Sequence, residues 1–367
     1  MKRILTQCIK ELVQFRRDRL TVALAILLPL ATLFIFGFAI RLEATNISIV
    51  IQDLNNSPLS RSYIEQVMAT NQFQLTRWDD NIVGALERGI ANAGAIIPPD
   101  FDSQIQLNQP TTIQVLIDGT DANNARIIQN SFRAITNAFL QTSGIQQEQP
   151  NIVARIRLWF NPGRRESLYI VPGVYGVILW IYPSLLAAIA MVREKERGTI
   201  LQVYASSLTA AELLLGKGLA YFVIGIAQAV VIIGLGSLLF QLSFAVEPTV
   251  FILGTSLYLW TSVLFGLLIG VKASNQNAAV QGVATIGFLS SLLLSGFIYP
   301  LSNIPFPLSL ISHILPARYY IELSRDAFVR GTGWIGVWFI PVVLIVIGLL
   351  LFNAARKALS RMQLPNS

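Results

Sequence analysis

Apolar residues in this chain fall in long unbroken runs rather than in alternation with polar ones. The first, Leu20 to Ile40, contains no charge, and about 20 apolar residues of helix suffice to cross a bilayer core roughly 30 Å thick. Five more runs follow, at about Leu168–Val192, Gly218–Phe240, Thr249–Val271, Ala273–Tyr299 and Trp334–Phe352. Pro172, Pro183 and Pro341 lie inside them, which bundled membrane helices tolerate. The first run is long for the apolar part of a signal peptide and has no clean small-residue cleavage site after it, so it reads as an anchor. The pattern predicts an α-helical integral membrane protein with six transmembrane helices.

Between the first two runs, over residues 41–167, the pattern changes. This stretch is polar, has no lysine, and nearly balances its arginines with acids. Ile47, Ile49 and Ile51 alternate as in a strand, and Ser57-Pro58 opens a helix through Met68. Phe73–Trp78 reads as a second strand, Asp79-Asp80 as the cap of a helix to Arg88, and Ala93–Ile97 and Thr112–Ile117 as further strands. A helix is expected from about Ala122 to Gln141. Strands alternating with helices describe a small α/β domain inserted between the first and second spans. Gln146–Gln149 is a short glutamine-rich patch, read as a loop.

Composition narrows the class. Of the 367 residues, 53% are hydrophobic and 13% charged, against about 25% charged in soluble proteins, which excludes a water-soluble enzyme. The net charge of +7 serves orientation rather than nucleic acid, because basic residues near span ends stay in the cytoplasm. Lys2, Arg3, Lys10, Arg16, Arg17 and Arg19 precede the first span; Arg193, Lys195, Arg197 and Lys217 lie between the second and third. Lys272 lies between the fourth and fifth, and Arg356, Lys357 and Arg361 follow the sixth. With six spans all of these fall on one side, so both termini are expected in the cytoplasm and the α/β domain outside it. Arg318, Arg325 and Arg330, in the last outer loop, depart mildly from the rule. The single cysteine, Cys8, and single histidine, His313, exclude an internal disulfide and a Cys/His metal cage.

Catalytic constellations are missing from the pattern. Ala211–Gly218 comes nearest to a phosphate-binding loop, but its first glycine is replaced by alanine and no Ser or Thr follows Lys217. Asp100 with Asp102, and Asp118 with Asp121, read as turn and cap residues rather than acid–base pairs. Glu322, Arg325 and Asp326 stand at helical spacing, which local ion pairing explains. No run carries an Asp, Glu, Lys, Arg or His in its middle, where ion-coupled transporters usually place one. Energy for moving a substrate would then come from a partner. Gln228 and Gln281 are the costliest span residues to bury, and with Ser290 they are the candidates for lining a substrate path.

Two segments carry more information. Ile4, Leu5, Cys8, Ile9, Leu12 and Val13 recur on one side of a basic helix over residues 1–19, with Lys2, Arg3, Lys10, Glu11 and Arg17 on the remainder, the pattern of a helix in the headgroup plane. After the second span comes Arg193-Glu194-Lys195-Glu196-Arg197-Gly198-Thr199, then an amphipathic stretch to Lys217, as in a helix that docks on a protein. Thr209 with Glu212 forms a capping box opening the third span.

The run from Arg193 to Thr199, continued through Leu213–Lys217, resembles the signature of type-2 ABC exporter permeases. Ile96–Phe101, Ile117–Asn123, Trp159–Pro162 and Val171–Gly173 are similar to the drug-exporter branch, as are Ser295-Gly296, Pro300, Leu315-Pro316 and Gly331. The resemblance implies that Glu194, Lys195, Glu196, Arg197, Gly198 and Thr199, within a coupling segment 193–217, couple to a cytoplasmic ATP-binding subunit. It implies no cofactor on this chain, ATP being bound by the partner. It further implies a second permease copy or sibling, a re-entrant hairpin over 301–333, and a cytoplasmic tail over 353–367. The domain plan is then an interface helix (1–19), a first span (20–40), an extracytoplasmic domain (41–167) and a five-helix region (168–352). A membrane-anchored receptor, a passive channel and a membrane enzyme are the rival classes, and the enzyme lacks a catalytic set.

Overall fold

A computed structural model describes residues 1–39, 47–78, 81–107, 109–119, 122–142, 165–198, 208–299, 301 and 304–362. The chain divides into two compact units, residues 41–156 and the remainder.

The smaller unit is an α/β domain. Its strands β1 (Ile47–Asp53), β2 (Phe73–Leu75), β3 (Ala93–Ile97) and β4 (Gln114–Ile117) form one sheet in the order β2-β1-β3-β4, with only β4 antiparallel. Strand side chains alternate between faces. Ile47, Ile49, Ala93, Ala95 and Ile97 therefore meet α3 (Pro58–Ala69), α5 (Phe101–Gln106) and α6 (Ala122–Thr142) on one side. Val50 and Ile96 meet α4 (Ile82–Glu87) on the other. Gly94 lets α4 approach, since a β-carbon there would lie 2.0 Å from Ile82 Cγ2. Ser57 caps α3 with Pro58 in its first turn, and Asn81 caps α4; the expected Asp79-Asp80 cap lies outside the described residues. The short helix α5 was not expected, and Asp100 and Asp102 bond Gln104 and Gln106 within it.

The larger unit is helical. Helix α1 (Lys2–Arg17) leads into α2 (Arg19–Ala39). After the α/β domain come α7 (Ser167–Glu196), α8 (Ala210–Leu239) and α9 (Thr249–Lys272), and α15 (Phe339–Met362) ends the chain. Among the described residues five helices are long and apolar enough to cross a membrane: α2, α7, α8, α9 and α15. The run expected to span at Ala273–Tyr299 is instead interrupted. It consists of α10 (Gln276–Gly282), a π-helical stretch Val283–Leu289 and α11 (Ser290–Leu293), and it leaves the helix before Gly296, whose φ is 83°. At the end of the π-helical stretch Ser290 Oγ bonds the carbonyls of Ile286 and Gly287. Residues 304–337 form α12 (Leu308–Ile314), α13 (Pro316–Arg325), a second π-helical stretch Asp326–Arg330 and α14 (Trp334–Val337).

Helix α7 is the hub, packing against α2, α8, α9, α10 and α13. Its contact with α9 is unusually close. A β-carbon on Gly266 would sit 2.0 Å from the Ser184 carbonyl oxygen, and one on Gly270 would sit 2.6 Å from that of Ala188. Small residues allow helix backbones to touch where lipid supplies no hydrophobic drive. Side chains then bond across the seam: Tyr258 Oη donates to Gly176 O at 2.6 Å and Ser262 Oγ to Trp180 O at 2.6 Å. The rings of Tyr258 and Tyr320 stack 4.1 Å apart, extending the seam to α13.

Candidate functional site

The C-terminal end of α7 carries four successive charges, and each reaches a different part of the helical unit. Arg193 donates to Asp18 at 2.9 Å, at the α1–α2 junction. The same carboxylate accepts the Thr21 hydroxyl at 2.6 Å and the Thr21 N–H at 3.1 Å, capping α2. The Thr21 hydroxyl, its N–H and the Arg193 guanidinium together hold the Asp18 pKa below the usual carboxylate value.

Glu194 turns inward, with 6% of its surface exposed. It accepts from Lys10 of α1 at 2.8 Å and pairs with Lys217 of α8 at 3.2 Å. Lys217 is wholly buried, and its ammonium also donates to Glu11 at 2.7 Å. Gln7 supplies Glu11 with a further bond at 3.0 Å. Two lysines and two glutamates thus neutralise one another in a closed cluster, the condition under which buried charges are tolerated. Gly216 makes room for it, since a β-carbon there would fall 2.7 Å from Gln7 Cβ.

Lys195 and Glu196 grip the turn between α9 and α10. The Lys195 ammonium donates to the carbonyls of Gly270 at 3.0 Å and Ala273 at 3.1 Å, and to Val271. These oxygens end α9. Glu196 accepts the Gln276 N–H at 2.8 Å and the Gln276 side-chain amide, both at the start of α10. A cation at a helix C-terminus and an anion at an N-terminus both match the helix dipole. Arg197 and Gly198 are exposed, Gly198 with φ at 69°. Thr199 lies outside the described residues. Past that gap, Thr209 and Glu212 form the expected capping box of α8.

Helix α1 corrects the sequence reading of its faces. Its inward side is Gln7, Cys8 and Glu11, so Glu11 is not on the water-facing remainder. The expected apolar stripe is divided: Cys8, Leu12 and Phe15 join the bundle core, while Leu5, Ile9 and Val13 remain exposed. In sequence Lys10 and Lys217 read as membrane-flanking positives, Glu11 as part of the polar remainder of the first helix and Glu194 as a coupling residue, and only the pairing of α1 with α8 reveals the four as a cluster.

The three candidate path residues are not brought together. Gln228, 6% exposed, donates from Nε2 to Ala25 O of α2 at 2.6 Å. Gln281 is exposed on α10, and Ser290 bonds its own helix. Among the described residues no hydrogen bond joins any two of the three. The Gln228 bond has a cause in the sequence: Pro29 inside α2 lacks the N–H that would otherwise satisfy Ala25 O.

A second charged pair sits at the end of α13. Arg325 does not pair with Glu322, which meets Arg330 at 3.9 Å. The Arg325 guanidinium donates to Gly296 O at 2.8 Å and Phe297 O at 3.3 Å, and it lies 3.9 Å from the Tyr169 ring centroid. Asp326, 1% exposed, accepts Thr332 N at 3.1 Å, Thr332 Oγ1 at 2.6 Å and Gly333 N at 2.9 Å. His313 bonds Ser309 O within α12.

Long apolar helices packed through glycine seams, with charge gathered at their ends, define a multi-pass helical membrane protein. Residues 19–357 match the model of the ABC-2 family transporter protein. The chain is 28% identical to the probable multidrug ABC transporter permease YbhS of Escherichia coli, over 96% of this chain and 94% of that protein. It is 27% identical to the probable multidrug ABC transporter permease YbhR of the same organism, over 92% of each. The inner membrane transport permease YhhJ of Escherichia coli is 24% identical over 88% of this chain and 90% of its own length. This chain belongs to the ABC-2 transporter family, as a membrane-embedded permease.

Proposed function

We propose that this chain is the permease subunit of an ATP-driven exporter in the plasma membrane, moving a hydrophobic or amphipathic compound out of the cytoplasm or the inner leaflet. ATP is bound and hydrolysed by a separate cytoplasmic subunit, so this chain is not itself the enzyme. Two permeases, identical or paired with a sibling, share the path. Both termini lie in the cytoplasm, six segments span, the interrupted run over Gln276–Leu293 being one of them, and the α/β domain projects outside. The segment 301–333 forms the re-entrant hairpin at the exit. Glu194, Lys195, Glu196, Arg197, Gly198 and Thr199 couple the ATP-binding subunit to the spans, and Gln228, Gln281 and Ser290 border the path. The names of the relatives, multidrug permeases, support the drug-like substrate class.

The observation that carries this reading is the α7 end, where four successive charges tie α7 to α1, α2, α8, α9 and α10. A push on the exposed Arg197-Gly198 turn is thereby delivered to five helices at once. The test is gentle-detergent purification of the tagged chain from its native membrane. A stoichiometric ATP-binding subunit should be recovered, and Arg197→Glu should reduce that recovery while the chain still inserts. Repeated recovery of the wild-type chain with no nucleotide-binding partner would overturn the reading in favour of a receptor or channel.

A further inference from the structure

Helix α1 is turned inside out for a helix in water. Its polar middle, Gln7 and Glu11, is buried against α8, while Leu5, Ile9 and Val13 are 59%, 52% and 45% exposed. These three stand at every fourth position and so form one row along the helix. Lys2 and Arg16, seven residues either side of Ile9, close the same row at its two ends. The exposed charges of α1 are Lys2, Arg3, Lys10, Arg16 and Arg17, all basic. Arg3 and Lys10 answer Glu212 and Glu194. Lys2, Arg16 and Arg17 enter no ion pair among the described residues.

The contacts with α7 fix how α1 lies. Lys10 and Asp18 are eight residues apart, about 12 Å along a helix, yet they bond the successive residues Glu194 and Arg193. Helix α1 therefore crosses the end of α7 instead of running beside it. Asp18 alone separates α1 from α2, and both α2 and α7 are long and apolar enough to span. So α1 lies flat where the spans begin, and the row facing away from α7 and α8 meets what surrounds the bundle at that depth. Three aliphatic side chains in one row offer far less than the roughly 800 Å² that each partner gives to a stable protein interface. They suit the headgroup boundary, where an amphipathic helix sinks its apolar face by about 5–10 Å.

We propose that this row of α1 is a binding surface for anionic phospholipid. Leu5, Ile9 and Val13 dip between the acyl chains, and Lys2, Arg16 and Arg17 hold lipid phosphates. A zwitterionic headgroup accommodates the apolar row equally well but brings the three cations no net counter-charge, so the surface selects lipid by charge. The site needs no ATP and no second subunit, so it stands whether or not the export reading does.

The test uses the full chain in phosphatidylcholine nanodiscs carrying a trace of photoactivatable lipid, either phosphatidylglycerol or phosphatidylcholine with identical acyl chains. Labelled peptides are mapped by mass, and label on residues 1–17 is divided by label on residues 20–39, which any acyl chain can reach. At low salt the ratio should be at least about fivefold higher for phosphatidylglycerol, since each basic residue near an anionic surface contributes about 1 kcal/mol. The preference should shrink in 0.5 M salt, where charge is screened within about 4 Å. Arg16→Gln with Arg17→Gln should bring the two probes within about twofold of each other, and Leu5→Ser with Ile9→Ser should lower the ratio for both. Equal ratios for the two probes in the wild type at low salt would overturn the proposal. So would residues 1–17 left unlabelled by either probe, including the case in which a co-purified protein subunit covers them. The wild-type comparison needs no variant and decides the matter even if both double variants fail to fold.

Discussion

The α7 end and the α13 end both bury charge, and they do it differently. At the α7 end, Lys217 answers Glu11 and Glu194, groups from three helices far apart in sequence. At the α13 end, Arg325 and Asp326 are adjacent, yet they answer mainly backbone groups: two carbonyls for the cation, and two N–H groups with the Thr332 hydroxyl beside them for the anion. The first arrangement joins elements that are otherwise independent, and it can be broken only by leaving several charges stranded at once. The second pins irregular backbone, the stretch around Gly296 and the turn at Gly331–Gly333, where positive φ angles would otherwise be free to relax. Charge between side chains connects helices; charge against backbone shapes loops.

The sharpest way to break this comparison is Lys217→Met. It leaves the buried Glu11 and Glu194 carboxylates with only the half-exposed Lys10 to answer them, and removing one partner of a buried pair typically costs about 3–5 kcal/mol. Thermal unfolding in detergent should show a large loss, and adding Glu11→Gln and Glu194→Gln should recover much of it. Arg325→Gln should cost less, about 1.5–3 kcal/mol for charged hydrogen bonds. It should also loosen the backbone near Gly296 without changing how α1 docks, as hydrogen exchange would show. Gly216→Leu comes next: overpacking against Gln7 should cost about 1–3 kcal/mol and increase protease access to α1.

The smallest effect is expected of Asp18→Asn, a partly exposed pair that costs about 1 kcal/mol at most. Its pH dependence has a definite sign. The folded-state pKa of Asp18 lies below the ordinary value, so its contribution is complete above about pH 4 and fades as pH falls through the lower, folded value. Unfolding curves of the wild type and Asp18→Asn should therefore converge in strong acid and stay apart at pH 5. Convergence already at pH 5 would mean that the Arg193 tie adds nothing.

Much of this architecture was legible in the pattern of residues. The strand positions of β1 and β3 follow from Ile47/Ile49/Ile51 and Ala93–Ile97, and Thr209 with Glu212 announces α8 in four residues. Local periodicity and capping are short-range signals, so they survive in a single sequence. The cluster was not legible, because nothing local in the sequence pairs Lys10 and Glu11 with Glu194 and Lys217 until α1 is laid on α8. Gly216 and Gly218 around Lys217 were the one local hint of close approach. Pro29 and Gln228 are likewise unremarkable apart and meaningful only as a carbonyl and its donor. The run Ala273–Tyr299 reads as a plain span because hydropathy does not register a π-helical stretch, which arises from hydrogen-bond register.

The seam between α7 and α9 has a mechanical consequence. With the Ser184 carbonyl in the place where a methyl on Gly266 would go, the two backbones meet with no room for a side chain between them. The two helices act as one beam. Lys195 and Glu196 clamp the turn at the beam's foot, and the Tyr258–Tyr320 stack ties its flank to α13, so a displacement entering at one end has a continuous packed route to α13. The glycines therefore behave as a keyway, and Gly266→Ala should unlock the shaft while every charge stays in place.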